Sequence, residues 1–118
     1  MKTLVIGASP NPLRYSHKAV KRLREYGFEV EAIGKRETTI EDVEVYRGFP
    51  DLKDIDTVTL YVGPANQKEY IDYIVSLRPR RIIFNPGTYN RILEDYASEA
   101  GIECIEDCTL VMLSSGDY

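Results

Sequence analysis

Apolar and polar residues along this chain fall into runs whose period changes, and the changes mark the elements. Lys2 to Ile6 is a short apolar-rich run that stops at Gly7, the pattern of a buried strand. Ala8-Ser9-Pro10-Asn11-Pro12 follows, and its two prolines keep it out of helix. From Ser16 the apolar positions Ala19, Val20, Leu23 and Tyr26 recur at three and four, with Lys18, Lys21, Arg22 and Arg24 between them. That spacing predicts an amphipathic helix capped by Ser16 and stopped at Gly27. Phe28 to Ile33 alternates apolar with acidic residues and predicts a second strand, ending at Gly34-Lys35-Arg36. Residues 37–54 are polar and irregular, with at most a short strand over Val43 to Tyr46 and a turn near Phe49-Pro50-Asp51.

The second half is more regular. Thr57 to Val62 is dense in β-branched and aromatic residues, as in a central strand, and ends at Gly63-Pro64. Asn66-Gln67-Lys68-Glu69 has the form of a capping box, opening a helix with Tyr70, Ile71, Ile74 and Leu77 on its apolar face and Pro79 at its end. Arg81 to Phe84 reads as a strand turned by Asn85-Pro86-Gly87, and Asn90 to Ala100 as a helix stopped at Gly101. Ile102 to Ile105 predicts a last short strand, and Thr109 to Leu113 a short closing helix. Strands separated by single helices run parallel and cross over right-handed. The expected architecture is α/β: a doubly wound, mostly parallel sheet of about five strands with helices on both faces, in one domain spanning 1–118.

Composition narrows the function. The chain has 118 residues, 43% apolar and 29% charged, an ordinary balance for one globular domain. No apolar run approaches the ~20 residues of a membrane span, and the N-terminal run breaks too early for a signal peptide. A cytoplasmic location is expected. The net charge of −4 argues against a general nucleic-acid binder. That average conceals a division: residues 1–36 hold eight basic and three acidic side chains, and residues 37–118 seven and sixteen, so the parts stand at +5 and −9. An anion site in the first third remains open. Two cysteines, Cys104 and Cys108, and one histidine make neither a disulfide framework nor a four-ligand zinc site without several carboxylates.

In an open parallel sheet, ligands sit beyond the carboxyl ends of the strands where strand order reverses. The groups Gly7-Ala8-Ser9 with Arg14 and Ser16, Gly34-Lys35-Arg36, Tyr61-Val62-Gly63-Pro64 and Asn85-Pro86-Gly87 all follow strands, so folding would collect them on one edge. The first turn departs from the dinucleotide fingerprint, with Ser9 and Pro12 where its second and third glycines would stand. It still offers a phosphate free N–H groups at a helix start, hydroxyls on Ser9 and Ser16, and the forked donor of Arg14. After the second strand, where an NAD site carries an acid, Lys35 and Arg36 are basic; a ribose phosphate is implied, as in NADP or coenzyme A.

These residues carry a resemblance. The segments LVIGASPNPLRYSHKAVKRLREYGFEVEAIGKR, VTLYVGP, RRIIFNPGTYN and CTLVMLSSGDY, in this order and spacing, resemble the small stand-alone CoA-binding proteins. Their Rossmann-like fold is similar to the CoA-binding domain of the succinyl-CoA synthetase alpha subunit, and the resemblance runs from Lys2 to Tyr118. It implies coenzyme A or an acyl-CoA as the ligand. Gly7, Ala8 and Ser9 would form the turn against the pyrophosphate, with Arg14 and Ser16 neutralising it. Lys35 and Arg36 would approach the adenosine end with its 3′-phosphate, Gly34 letting the chain pass close. Tyr61, Val62 and Pro64 would pack on the adenine or the start of the pantetheine, and Asn85, Gly87 and Asn90 would line the crevice further along. Where many relatives carry Asn-Pro-Lys after the second strand, this chain has Gly34-Lys35-Arg36.

Catalysis is not expected. His17, the only histidine, lies in the first turn of the first helix, and no serine has His and Asp partners at a defensible spacing. An NADP-dependent oxidoreductase, or another nucleotide-binding enzyme subunit, is the alternative sharing the basic site; a third is an interaction protein that lost its ligand. No nucleic acid or membrane partner is expected. Tyr70 and Tyr73 leave a monomer or a homodimer open, and Cys108 near the crevice mouth leaves open a mixed disulfide with a bound thiol.

Overall fold

The computed structural model describes residues 1–118. Seven strands form one sheet: β1 (Lys2–Ala8), β2 (Glu29–Gly34), β3 (Thr38–Ile40), β4 (Val43–Tyr46), β5 (Ile55–Leu60), β6 (Arg81–Phe84) and β7 (Glu103–Glu106), in the order β3-β4-β2-β1-β5-β6-β7. Every neighbouring pair is parallel except β3 and β4. The helices are α1 (Tyr15–Glu25), α2 (Ile71–Leu77), α3 (Arg91–Glu99) and α4 (Thr109–Ser115). None is long and apolar enough to cross a membrane.

Strand alternation sends side chains to two separate cores. Val5 and Ala8 of β1, Ala32 of β2 and Val43 and Val45 of β4 meet Val20 and Leu23 of α1 and Leu113 of α4. Leu4 and Ile6 of β1, Ile33, Val58, Leu60, Ile82 and Phe84 meet α2 and α3 through Ile71, Ile74, Leu93 and Ala97 on the other face. Central strands buried on both sides must be apolar almost throughout, which explains Leu4-Val5-Ile6 and Ile82-Ile83-Phe84. The sheet is doubly wound: the chain leaves β1 leftward through β2 and returns to its right side at β5. That return, residues 47–54, is an irregular strap rather than a helix. Phe49 packs on the rings of Tyr70 and Tyr73 at 5.4 and 5.3 Å, and the Tyr73 hydroxyl donates to the Pro50 carbonyl at 2.6 Å.

Three expectations are corrected. The strands number seven, because residues 37–54 contain both β3 and β4; three residues of β3 carry too little periodicity to be read locally. Ser16 does not cap α1: Arg14 holds the extended cap position, and Ser16, one residue inside the helix, is buried with Ala19, Val20 and Leu23. Asn66-Gln67-Lys68-Glu69 is no capping box but part of two single 3₁₀ turns, Pro64–Asn66 and Lys68–Tyr70, and α2 begins only at Ile71.

At the opposite edge, beneath the strand starts, Arg81 is buried. Its Nε donates to Thr57 Oγ1 at 2.9 Å, a terminal nitrogen donates to the Tyr118 carbonyl at 3.1 Å, and the guanidinium lies 4.5 Å from the Tyr118 ring centre. The Tyr118 hydroxyl meets Thr3 Oγ1, so the chain's last residue ties β1, β5 and β6 together.

The tightest contact between strands is β1 on β2. Ala8 pairs with Gly34 after a register shift that takes up Gly7, and a Cβ on Gly34 would stand 2.2 Å from the Ala8 carbonyl oxygen. Gly34→Ala is therefore expected to separate the strands locally and cost about 2–3 kcal/mol. Urea unfolding with Gly63→Ala as reference checks this, since a Cβ at Gly63 meets nothing within 4 Å; equal midpoints would contradict it.

Candidate functional site

The two neighbours of β1 are β2 and β5, and the chain proceeds outward from each in opposite directions. The reversal falls between β1 and β5, so their carboxyl ends are where a ligand is expected. Gly7 shapes this edge. Its φ of +97° is a region L side chains rarely adopt, and a Cβ there would stand 2.9 Å from the Tyr61 backbone. The Tyr61 amide donates to the Ile6 carbonyl at 2.8 Å, which holds the two strand ends together.

Beyond Gly7 the loop is tied to itself. Ser9 Oγ accepts from the Asn11 amide at 3.1 Å, Asn11 Oδ1 from the Leu13 amide at 3.0 Å, and the Asn11 carbonyl from the Arg14 amide at 3.0 Å. His17 Nδ1 lies 3.1 Å from the Ser9 carbonyl and must donate to it, since a carbonyl only accepts. The histidine thus positions the loop. No side chain caps α1 and no acidic residue sits in its first turn, so the positive end of the helix is left open beside Gly7-Ala8-Ser9. Arg14 is exposed and makes neither an ion pair nor a hydrogen bond through its side chain. Ser16 Oγ lies on the buried side of the helix.

At the end of β2, Lys35 and Arg36 are exposed and without ion-pair partners, as Arg14 is. Gly34 differs from its expected role: the group that passes close to it is the Ala8 carbonyl of the neighbouring strand. Sequence reading also missed Arg47. Ile33 pairs with Tyr46, so Arg47, the residue after β4, is level in register with Gly34. The signal was the alternation Val43-Glu44-Val45-Tyr46, had it been docked beside β2.

Tyr61 and Val62 follow β5 and diverge, Tyr61 packing against the α1 and α4 core and Val62 against the other. The Tyr61 hydroxyl is buried beside the Thr59 and Thr109 hydroxyls without a well-formed hydrogen bond, and burial pushes its ionisation far upward, so it stays neutral. Pro64 is exposed and opens the first 3₁₀ turn.

Asn85 is a clamp rather than an open crevice group. Buried, it donates from Nδ2 to Thr59 Oγ1 at 2.6 Å and to the Leu60 carbonyl at 2.8 Å, and its Oδ1 accepts from the Thr109 amide at 2.8 Å. It joins β5, β6 and the start of α4. Gly87, at φ +86°, turns the loop after β6, and Asn90 caps α3 by accepting from the Ile92 amide at 3.0 Å. Gln67, which lies inside the expected capping box, is fully buried. Its Nε2 donates to the Val62 carbonyl at 2.8 Å and the Thr88 carbonyl at 2.6 Å, pinning the loop after β5 to the loop after β6, while Oε1 has no partner.

Cys108 precedes α4, and its amide donates to Asp107 Oδ1 at 2.7 Å. Burial raises the thiol pKa of Cys104, which favours the protonated form. No three His, Cys, Asp or Glu side chains are grouped so as to hold a metal ion.

The edge therefore combines an open helix start, a glycine turn and exposed cations without ion-pair partners. No curated protein matches the chain. A crystal structure of an uncharacterized protein superposes with a TM-score of 0.95 at 44% identity, covering 99% of this chain and 97% of that one. A hypothetical protein from Pyrococcus horikoshii OT3 superposes with a TM-score of 0.87 at 27% identity, covering 96% and 81%. The fold is also found in a dinucleotide-forming acetyl-coenzyme A synthetase from Ca. Korarchaeum cryptofilum, at 19% identity and a TM-score of 0.74, over 90% of this chain and 25% of that one. The model of the CoA binding domain family matches residues 1–114, and the chain belongs to that family.

Proposed function

We propose that the chain is a single ligand-binding domain for coenzyme A or an acyl-CoA, held along the carboxyl edge of β2, β1 and β5. The observation that carries this reading is the set of unpaired cations, Arg14, Lys35 and Arg36, beside the uncapped start of α1, in a chain whose net charge is −4. Exposed cations without carboxylate partners, gathered where backbone N–H groups also point outward, fit a ligand with phosphates at two places. The pyrophosphate lies against Gly7-Ala8-Ser9 and the first-turn amides of α1, with Arg14 as its forked donor. Lys35 and Arg36 take the 3′-phosphate. Val62 and Pro64 give an apolar wall for the pantetheine arm, continued by Gly87 and Asn90.

The chain's residues bind and orient in this reading. His17 fixes the Ser9 carbonyl, so the loop is formed before ligand arrives and little ordering entropy is lost on binding. Asn85 and Gln67 hold the loops after β5 and β6 in place without touching the ligand themselves.

Calorimetric titration with CoA, dephospho-CoA, NADP and NAD tests the reading. CoA is expected to bind most tightly, with dephospho-CoA weaker by about tenfold for the lost charge-assisted contacts. NADP binding more tightly than CoA would favour an NADP-dependent enzyme instead, and no binding by any of the four would leave a fold without this ligand. Arg14→Gln is expected to weaken CoA and dephospho-CoA alike, by about 1–2 kcal/mol, because it faces the pyrophosphate both share. A loss confined to CoA would move Arg14 to the 3′-phosphate.

A further inference from the structure

We infer that Arg47, at the end of β4, completes the ribose-phosphate subsite from a second strand and sets the preference for a 3′-phosphorylated ligand. The inference rests on the coenzyme A reading and adds to it a residue outside the loops that follow β1, β2 and β5.

Register places Arg47. Ala32 pairs with Val45 and Ile33 with Tyr46, so β2 and β4 end together and Arg47 follows at the level of Gly34 and Lys35. Neighbouring strands lie about 4.8 Å apart, well inside the roughly 8 Å over which charges act in physiological salt. Alternation supplies the direction. Val43 and Val45 pack into the core beneath α1, and continuing the alternation puts Arg47 on the same side as the start of that helix. Glu44 and Tyr46 fall on the opposite side, where the Glu44 and Glu31 carboxylates favour the protonated form of the Tyr46 hydroxyl. The acidic side chains nearest in register are thus turned away from Arg47.

The guanidinium is exposed and has no ion-pair or hydrogen-bond partner. Other arginines of the acidic part of the chain are engaged: Arg80 with Asp56, Arg91 with Asp95, and Arg81 with Thr57 and Tyr118. Arg78 is also free, at the far end of α2. Lys35, Arg36 and Arg47 are three exposed cations on adjoining strand ends, and none of them is ion-paired, neither with Glu37, which follows Arg36, nor with Glu44. Their mutual repulsion is relieved by a multiply charged anion, and a phosphate monoester reached from both strands supplies one. A pyrophosphate seated at α1 lies one strand further away, so the terminal phosphate is the group Arg47 reads.

The test compares CoA with dephospho-CoA by calorimetry on the wild-type chain, Arg47→Gln, Arg47→Lys and Lys21→Gln, the last removing an exposed cation from the second turn of α1. Arg47→Gln is expected to reduce the ratio of the two affinities about fivefold, through CoA alone. Arg47→Lys should keep most of the ratio, and Lys21→Gln should leave it unchanged. Because the Arg47 side chain is exposed and makes no hydrogen bond or ion pair, thermal midpoints should coincide across the set. An unchanged ratio in Arg47→Gln, with wild type still preferring CoA, would overturn the role of Arg47 alone. Equal losses in Arg47→Gln and Lys21→Gln would reduce the effect to overall charge and overturn it too. Failure of the wild type to bind either ligand would instead overturn the coenzyme A reading on which the inference stands.

Discussion

The carboxyl end of β1 is clasped by two strands that come closer than side chains allow, and the edge of the molecule is organised around that approach. On one side the Ala8 carbonyl faces Gly34, where a Cβ would stand 2.2 Å away; on the other, Gly7 lies against the Tyr61 backbone, where a Cβ would stand 2.9 Å away. With side chains removed at those two points, three strand ends converge, and the positive φ of Gly7 turns the chain up and over them toward α1. A bulkier residue at either position would push apart the strands that bring Arg14, Lys35 and Val62 to one edge. The glycines serve packing between strands first, and the crevice is its consequence.

Around that clasp, buried polar groups do the work of alignment. Asn85 satisfies both ends of its amide among β5, β6 and α4, and Gln67 bridges the carbonyls of Val62 and Thr88. Buried amides of this kind are costly unless paired, and each pairing is available in only one arrangement of the loops. They therefore select that arrangement. At the opposite edge Arg81 and Tyr118 do the same for the strand starts. The cations at the carboxyl edge are treated differently: Arg14, Lys35, Arg36 and Arg47 are left in solvent with no partner of their own, while Arg24, Arg80 and Arg91 are matched with carboxylates elsewhere.

Legibility in the sequence followed the range of the interactions. β1, α1, β6 and α3 were readable because burial on one face or two imposes a short period on four to eleven neighbouring residues. β3 was not, because three residues become a strand only when β4 is present to pair with them. Lys35 and Arg36 were readable as a basic end to β2. Arg47 was not, since nothing near it in sequence indicates that β4 lies beside β2. Ser16 and the segment Asn66-Gln67-Lys68-Glu69 have local contexts that match a helix cap. Ser16 and Gln67 are instead buried, and the local motif lost to that burial.

The sequence by itself determined the winding of the sheet and the excess of positive charge in its first third, because periodicity and charge count are properties of neighbouring residues. Tertiary structure alone decided which polar groups stay in solvent at the carboxyl edge and which hold the frame. Asn85, Gln67 and Arg47 have polar side chains of the same standing in the sequence, and only the packing of β5 on β6, and of β4 on β2, buries two of them among carbonyls and leaves the third in water with its charge unmatched.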